Sequence, residues 1–485
     1  MASGKTTIPK EVMAALSALH DAGFEAYAVG GCARDVLLSR APKDWDVATN
    51  AQPEAIQKIF PKHFYENAFG TVTVFIDGME IQITTYRVDN AYSDKRHPDS
   101  VQYTAHLQED LARRDFTMNA MALKVESEKS KVKEYEIIDP FDGQKDITGK
   151  LVRAVGNPKE RFDEDALRLM RAVRFATQLD FLIEKETLSA IKAQAGLIRF
   201  VSHERIRDEF VKMIMCPNAA DGVDLLREVG LLSYIIPELM DGYGISQNKH
   251  HIYTVYEHNL RALRYSAEQD LSLVVRLASL LHDVGKPKTK HGDGPNATFY
   301  NHDMVGARIA SQIMTRLKFS KKETEDVVRL VRYHLFYYNV GEVTASSVRR
   351  LVRDVGLENI DDLINVRFAD RIGSGVPKAE PYKLRHFRYM VEKVSKDPVS
   401  VKMLKINGND VMRILKLEPG PKLGVLLNAL LSEVLDDPEK NTVEFLENRV
   451  VELNGFSVSE LSEMIKKGEE KIELLEQEDQ RKFRV

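Results

Sequence analysis

Apolar residues recur along this chain at two different spacings, and the change between them divides it. Near the N-terminus, Thr71-Val-Thr-Val-Phe-Ile76 and Met79-Glu-Ile-Gln-Ile-Thr-Thr85 alternate apolar and polar positions. Asp77-Gly78 between them predicts a hairpin. Ala26 to Val29 is a short apolar run that stops at Gly30-Gly31, and Cys32 to Leu38 can run on as a helix. That stretch predicts strand, glycine turn, helix. Residues 8–22 have helical spacing and end at Gly23, and residues 53–60 predict a short helix opened by Pro53. Phe116 to Leu123 predicts an apolar helix, and residues 86–110, polar with few periodic positions, predict a long loop. From Pro158 the period becomes helical. Arg161 to Phe175 predicts one amphipathic helix with Leu167, Met170 and Val173 on its apolar side. Residues 203–216, most of 220–390, and 391–485 read as helices. The pattern is α+β: a small mixed sheet with helices, then an all-helical remainder.

A chain of 485 residues is too long for one core and predicts three or four domains. Its net charge of −4 excludes a generally basic nucleic-acid binder and leaves room only for local basic patches. Two cysteines, Cys32 and Cys216, cannot build a disulfide framework, which fits a reducing compartment. Cys32, beside the glycine turn, reads as a small packed residue. With no apolar run of 18 residues and no secretory signal, the expectation is a cytoplasmic protein without membrane contact. Gly4-Lys5-Thr6-Thr7 copies the end of a phosphate-binding loop but lacks the upstream glycine and strand, and reads as a flexible N-terminus.

Candidate chemistry begins at the glycine turn. Glycines let backbone approach a phosphate, and the N–H groups of a helix start favour anions. Asp44 and Asp46 follow, separated by one residue. On a strand both carboxylates face the same way and repel unless a cation lies between them, and Mg²⁺ suits such a pair beside phosphates. Further on, Arg113-Arg114-Asp115-Phe-Thr-Met-Asn119 offers guanidinium forks for phosphate, with an acid and an amide for hydroxyls. Asp165 and Arg168, three apart on the predicted helix, are neighbours there. A second constellation lies in the helical half: His258, then His282-Asp283, His302, His334 and Asp370. Mixed imidazole and carboxylate sets suit divalent Mn, Fe, Ni, Co or Mg.

The pattern Gly30-Gly31-x-x-Arg34-Asp35 with Asp44-x-Asp46 resembles the nucleotidyltransferase superfamily, most of all the class II tRNA nucleotidyltransferases and related bacterial poly(A) polymerases. The resemblance spans nearly all of residues 20–450. It implies a catalytic head (1–150), a helical neck (151–220), a body (221–390) and a tRNA-binding tail (391–485). It implies that Asp44 and Asp46 are the catalytic Mg²⁺ acids, and that Gly30, Gly31, Arg34, Asp35, Arg114, Asp115 and Asn119 bind the nucleotide. Relatives carry a third acid where this chain has Gln82. Glu80, two residues earlier, is either its substitute or a solvated strand acid. Tyr92 to Pro98 resembles the family's mobile nucleotide-switching loop, and Asp139-Pro-Phe-Asp-Gly143 its hinge. Glu164-Asp165-x-x-Arg168 matches the base-selecting motif. An aspartate accepts from the amine of C or A and an arginine donates to their ring acceptors, whereas G and U would set a carbonyl against Asp165. That mismatch costs roughly 1–3 kcal/mol per group. The implied substrates are CTP and ATP, used without a nucleic-acid template on tRNA.

The His282-Asp283 pair with His258 resembles the HD phosphohydrolases. That likeness places Asp370 in the set, and His302 and His334 would complete a two-metal version. It implies a second divalent ion (Mn, Ni, Co or Mg) and hydrolysis at RNA ends. The sequence leaves two rival readings: an A-adding enzyme or poly(A) polymerase, and an HD phosphohydrolase whose N-terminal half only holds RNA. Gly408, Gly420 and Lys422 read either as RNA-backbone contacts or as helix starts packed on the body.

Overall fold

The computed structural model describes residues 8–66, 70–90, 100–125, 135–248, 252–340, 343–375 and 382–466. The Gly4–Thr7 stretch, the Tyr92–Pro98 segment, and residues 126–134 and 469–485 lie outside them. The chain divides into two units, Met1–Asp241 with Ile313–Phe319, and Gly242–Gln312 with Ser320–Val485.

The first unit carries the sheet. Its strands are β1 (Ala26–Val29), β2 (Asp46–Thr49), β3 (His63–Glu66), β4 (Thr71–Ile76), β5 (Met79–Thr85), β6 (Arg87–Asn90), β7 (Ser100–Tyr103), β8 (Ala122–Val125) and β9 (Tyr135–Ile138). Seven join in the order β3-β4-β5-β2-β1-β8-β9, and β6 pairs β7 separately. β2 and β5 are parallel; the other neighbours are antiparallel. The predicted β4–β5 hairpin is present, with Val72, Val74, Ile81 and Ile83 buried as the alternation requires. The helices of this unit are α1 (Lys10–Asp21), α2 (Gly31–Leu37), α3 (Pro53–Ile59), α4 (Leu107–Ala112), α5 (Gly143–Thr148), α6 (Pro158–Glu164), α7 (Leu167–Leu179), α8 (Lys185–Gln194), α9 (His203–Ile214), α10 (Ala219–Glu228), α11 (Leu232–Ile235) and α12 (Pro237–Met240).

Three expectations are corrected here. Phe116 to Leu123 is not a helix. Thr117–Asn119 makes one tight turn and the chain then enters β8, between β1 and β9. A fully buried apolar run this short carries no period, so the neighbouring strands decide its form. The loop expected over 86–110 is bounded by the β6–β7 ribbon, in which Arg87 faces Tyr103, and by α4. The single helix expected from Arg161 to Phe175 is two. Asp165 is extended (φ −132°, ψ 105°) and its Oδ1 accepts from the Leu167 N–H at 3.0 Å, ending α6 and starting α7. Short aspartate side chains compete in this way for backbone N–H groups.

The second unit is helical: α13 (Val255–Glu268), α14 (Leu273–Leu281), α15 (Lys286–Thr289), α16 (His302–Arg316, whose last residues count with the first unit), α17 (Lys321–Tyr333), α18 (Ala345–Val355), α19 (Ile360–Gly373), α20 (Tyr382–Val394), α21 (Gly408–Leu415), α22 (Pro421–Asp436) and α23 (Val443–Leu453). Val411, Leu426, Leu430, Val434, Leu446 and Val450 form a closed apolar core among the last three helices. Arg349 and Arg350 of α18 stand at the C-terminal end of α22. Arg349 Nε donates to the Leu435 carbonyl at 2.7 Å, and Arg350 Nη2 to Asp436 Oδ1 at 2.9 Å. Cations there meet unpaired carbonyls and the negative end of the helix dipole. Lys422 donates to the Asn454 carbonyl at 2.8 Å.

Candidate nucleotide and metal sites

The glycine turn has a steric cause. Gly30 sits at φ +80°, and a β-carbon there would lie 2.7 Å from Nη1 of Arg114. The positive φ, which L side chains rarely adopt, is what calls for glycine, and the guanidinium occupies the space a β-carbon would take. Behind it runs a chain of polar contacts. Arg34 is buried; its Nε donates to Asp35 Oδ1 at 2.9 Å and its Nη1 to Asn119 Oδ1 at 2.8 Å. Asn119 Nδ2 donates to Asp115 Oδ1 at 3.1 Å. Arg171 donates to Asp115 Oδ2 through Nε (2.8 Å) and Nη2 (2.6 Å). Burial pushes the Asp115 carboxyl up, but Arg171 and the Asn119 amide outweigh it and hold it at about 2. Asp115 is ionised at neutral pH, and its two oxygens orient Arg171 and Asn119.

The neck helices close the other side. Asp165 Oδ2 accepts from Arg205 Nη2 at 2.8 Å. Arg168 Nη1 donates to Glu164 Oε2 at 2.6 Å and Nη2 to the Arg113 carbonyl at 2.9 Å. Asp165 and Arg168 are therefore anchored by separate partners, on a break between helices rather than on one helical face. Arg174 pairs with buried Glu209, and its guanidinium lies 3.8 Å from the centre of the Phe175 ring, which Arg34 and Arg171 also approach at 5.2 and 5.3 Å. Together these groups line a cavity of about 500 Å³. Arg34, Arg113, Arg114, Arg168, Arg171, Arg174 and Arg205 face it against Asp46, Asp115 and Asp165. Seven guanidiniums against three carboxylates favour a polyanion.

Asp46 opens β2 on the cavity wall, opposite Val29 on β1 and Gln82 on β5. Asp44 lies two residues before the strand and is exposed, while Trp45 between them is buried at 4% exposure. That alternation sets the two acids on one side. Asp44 is not part of the cavity lining, but its charge reaches Asp46. Burial pushes the Asp46 carboxyl up, Arg114 draws it down, and Asp44 pushes it up again. Two hard oxygen donors under mutual repulsion fit Mg²⁺. Glu80 is exposed, opposite Phe75.

The second cluster is wholly within the second unit. His258 comes from α13, His282 and Asp283 follow α14, His302 begins α16, His334 ends α17, and Asp370 lies on α19. All six are buried. Gly285 makes the fit possible: a β-carbon there would lie 2.2 Å from the His302 carbonyl. Asp283 divides its oxygens. Oδ2 lies 3.2 Å from His258 Nε2 and 3.4 Å from His282 Nε2, and Oδ1 lies 3.3 Å from His302 Nε2 and 3.7 Å from His334 Nε2. Asp370 Oδ1 is 3.3 Å from His258 Nε2. His258, His282 and Asp283 form one metal-sized triad, and Asp283, His302 and His334 another. His282, His302 and His334 each turn Nδ1 to the carbonyl three residues earlier, at 2.8, 2.6 and 2.7 Å. That contact fixes Nε2 inward, as orienting partners of metal-bound histidines do. The Nε2 atoms of His302 and His334 are buried without a hydrogen-bond partner among the described residues, which fits metal ligands. Burial pushes His282 down to about 3, leaving the neutral imidazole that ligates metals. Lys286 Nζ stands 2.6 Å from both Asp283 Oδ2 and Gln247 Oε1.

Comparison with known proteins gives the family. Residues 26–153 match the poly A polymerase head domain, 180–242 the probable RNA and SrmB-binding site of polymerase A, and 255–373 the HD domain. A CCA-adding enzyme of Enterococcus faecalis is 33% identical over 446 residues, 91% of this chain and 96% of that protein. The chain belongs to the tRNA nucleotidyltransferase family. An A-adding tRNA nucleotidyltransferase of Deinococcus radiodurans is 35% identical over 347 residues, covering 68% of this chain and 76% of its own. The crystal structure of the Bacillus stearothermophilus CCA-adding enzyme in complex with CTP superposes with a TM-score of 0.67 at 28% identity, over 92% of this chain and 98% of that one.

Within this tRNA nucleotidyltransferase, the structure gathers Gly30, Gly31, Arg34, Asp46, Arg114, Asp115, Asn119, Asp165 and Arg168 around one cavity, with Asp35 bound to Arg34 behind it. Sequence reasoning missed Arg171, Arg174, Arg205 and Phe175 as lining groups, and named Arg113 as a phosphate fork without placing it in the assigned set. The signal was present in part: Arg168, Arg171 and Arg174 recur every three residues along α7. No helix among the described residues is long and apolar enough to cross a membrane.

Proposed function

We propose that this chain completes tRNA 3′ ends by adding C, C and A from CTP and ATP without a nucleic-acid template, and that its HD cluster hydrolyses phosphate esters at RNA ends. One observation carries the first reading: a single cavity joins seven arginines and Asp46 to the anchored Asp165–Arg168 pair. The arginines hold the triphosphate. Asp165, fixed by Arg205, accepts from the C or A amine, and Arg168, fixed by Glu164, donates to the ring acceptors. The tRNA 3′-hydroxyl attacks the α-phosphate, a new O–P bond forms, and pyrophosphate leaves. Asp44 and Asp46 would hold Mg²⁺, which when bound stabilises charge on the phosphates. The HD residues would hold a second kind of divalent ion (Mn, Ni, Co or Mg) for hydrolysis.

We read the chain as a head over 1–150, a neck over 151–220, an HD body over 221–390 and a tRNA-binding tail over 391–485; the matches over 26–153, 180–242 and 255–373 bear on the first three, and the tail is read from the sequence resemblance alone. The working compartment under this reading is the cytoplasm.

The test is incubation with Mg²⁺ and three tRNA transcripts, ending before CCA, after C and after CC, each with CTP, ATP or both. Two C additions, then one A and a stop, are expected. A added only to the CC-ended transcript would make this an A-adding enzyme, and long A tails on every RNA a poly(A) polymerase.

A further inference from the structure

Helix α20 is amphipathic in an unusual sense. Leu384, Phe387, Val391 and Val394 form its buried stripe. The opposite stripe, at i, i+3, i+4 and i+7, is Tyr382, Arg385, His386 and Tyr389. A solvated face normally mixes acids and bases. Here Lys383, Arg385, Arg388 and Lys393 stand against Glu392 alone, so thirteen residues carry a formal charge of +3 (four minus one) in a chain whose total is −4. The aromatic rings on this stripe are held outward. Tyr382 is 62% exposed and Tyr389 58%, and the His386 ring lies 5.9 and 6.0 Å from theirs.

The stripe also touches the segment that follows His334. Tyr338 bonds to His386 Nδ1 through its hydroxyl and packs edge-on against Phe387 at 5.0 Å. Tyr338 is four residues after the cluster's His334, so at most about 14 Å of chain separates them. Exposed rings interleaved with guanidiniums suit single-stranded nucleic acid: bases stack on the rings and cations meet the phosphates.

We propose that α20 is a docking face for a single-stranded RNA segment, with Tyr382 and Tyr389 stacking bases and Arg385 and Arg388 meeting phosphates. This goes beyond the two catalytic readings, and its binding test depends on neither.

The experiment uses the full chain and a short fluorescein-labelled single-stranded RNA carrying 4-thiouridine near its 3′ end. Photo-cross-linking of the unaltered protein is expected to yield a peptide from within Tyr382–Tyr389. In anisotropy titrations, Tyr382→Ala with Tyr389→Ala is expected to weaken binding about tenfold per ring, and the paired Tyr→Phe variant to stay within about threefold. Arg385→Glu with Arg388→Glu should weaken binding and flatten the salt dependence by about 0.7 per lost phosphate contact. Thermal unfolding of each variant separates misfolding from lost contact, and the cross-link on the unaltered chain decides if a variant unfolds. Cross-links confined to residues outside α20, with unaltered affinity in the folded variants, would overturn the proposal. Manganese-dependent hydrolysis of p-nitrophenyl phosphate reads the HD reaction separately, so failure of that reaction is distinguishable from failure of the docking face.

Discussion

The two candidate sites solve opposite electrostatic problems, and aspartate serves in both. The cavity of the first unit gathers seven arginines and keeps them apart with acids: Asp115 holds Arg171, Glu164 holds Arg168 and Glu209 holds Arg174. Asp35, Asp110, Glu164 and Glu209 stand behind the arginines and not in the lining, so the surplus that faces the cavity is guanidinium, and its complement is a polyanion. The cluster of the second unit gathers four imidazoles and two carboxylates around Asp283, with Lys286 beside it and Arg367 donating to Asp370 Oδ2 at 2.8 Å. Lone pairs are left over, and their complement is a divalent cation. In each case the surplus, rather than any single residue, indicates the ligand.

The comparison breaks most visibly if one site's loss reaches the other. Asp46→Asn is expected to lower nucleotide addition by about a thousandfold or more while p-nitrophenyl phosphate hydrolysis persists. Asp283→Asn should do the reverse. Parallel assays of both variants check this, and coupled losses would show that the sites are not independent. Next in size is Glu209→Ala. It leaves Arg174 buried without its carboxylate, and a broken buried pair costs about 3–5 kcal/mol, read as a fall in the urea unfolding midpoint.

Acid sharpens the comparison further. The Asp115 carboxyl is held at about 2, below its unfolded value. Its contribution of roughly 2 kcal/mol is therefore fully present above about pH 4 and is lost as pH falls toward 2. Urea unfolding of Asp115→Asn against the unaltered chain should show a difference at pH 6 that shrinks below about pH 4. The smallest effect concerns selection. Asp165→Asn adds an amide donor that can face a carbonyl, and should raise UTP incorporation relative to CTP about tenfold, measured with each triphosphate alone.

Much of this was legible because short-range rules govern it. Gly30-Gly31 marked the turn, Asp77-Gly78 marked the hairpin, and the six HD residues, scattered over 113 positions from His258 to Asp370, meet as the resemblance implied. What stayed hidden depends on packing between distant segments. Ala122 to Val125 becomes strand because β1 and β9 flank it. Asp165 breaks a helix whose apolar period runs through it unaltered. Of the α7 arginines only Arg168 was singled out from the sequence, yet Arg174 is buried as well and Arg171 lines the same cavity. Arg205 and Glu209 reach the site from α9, which no local pattern announces.

Trp45 is the chain's one tryptophan, buried between the two acids that flank it. Excitation of indole therefore reports from a single known address. Emission from the unlabelled protein is a built-in gauge of the ground beside Asp44 and Asp46. A titration with Mg²⁺ or a nucleotide can be followed by that light alone, without a dye, a tag or a turnover.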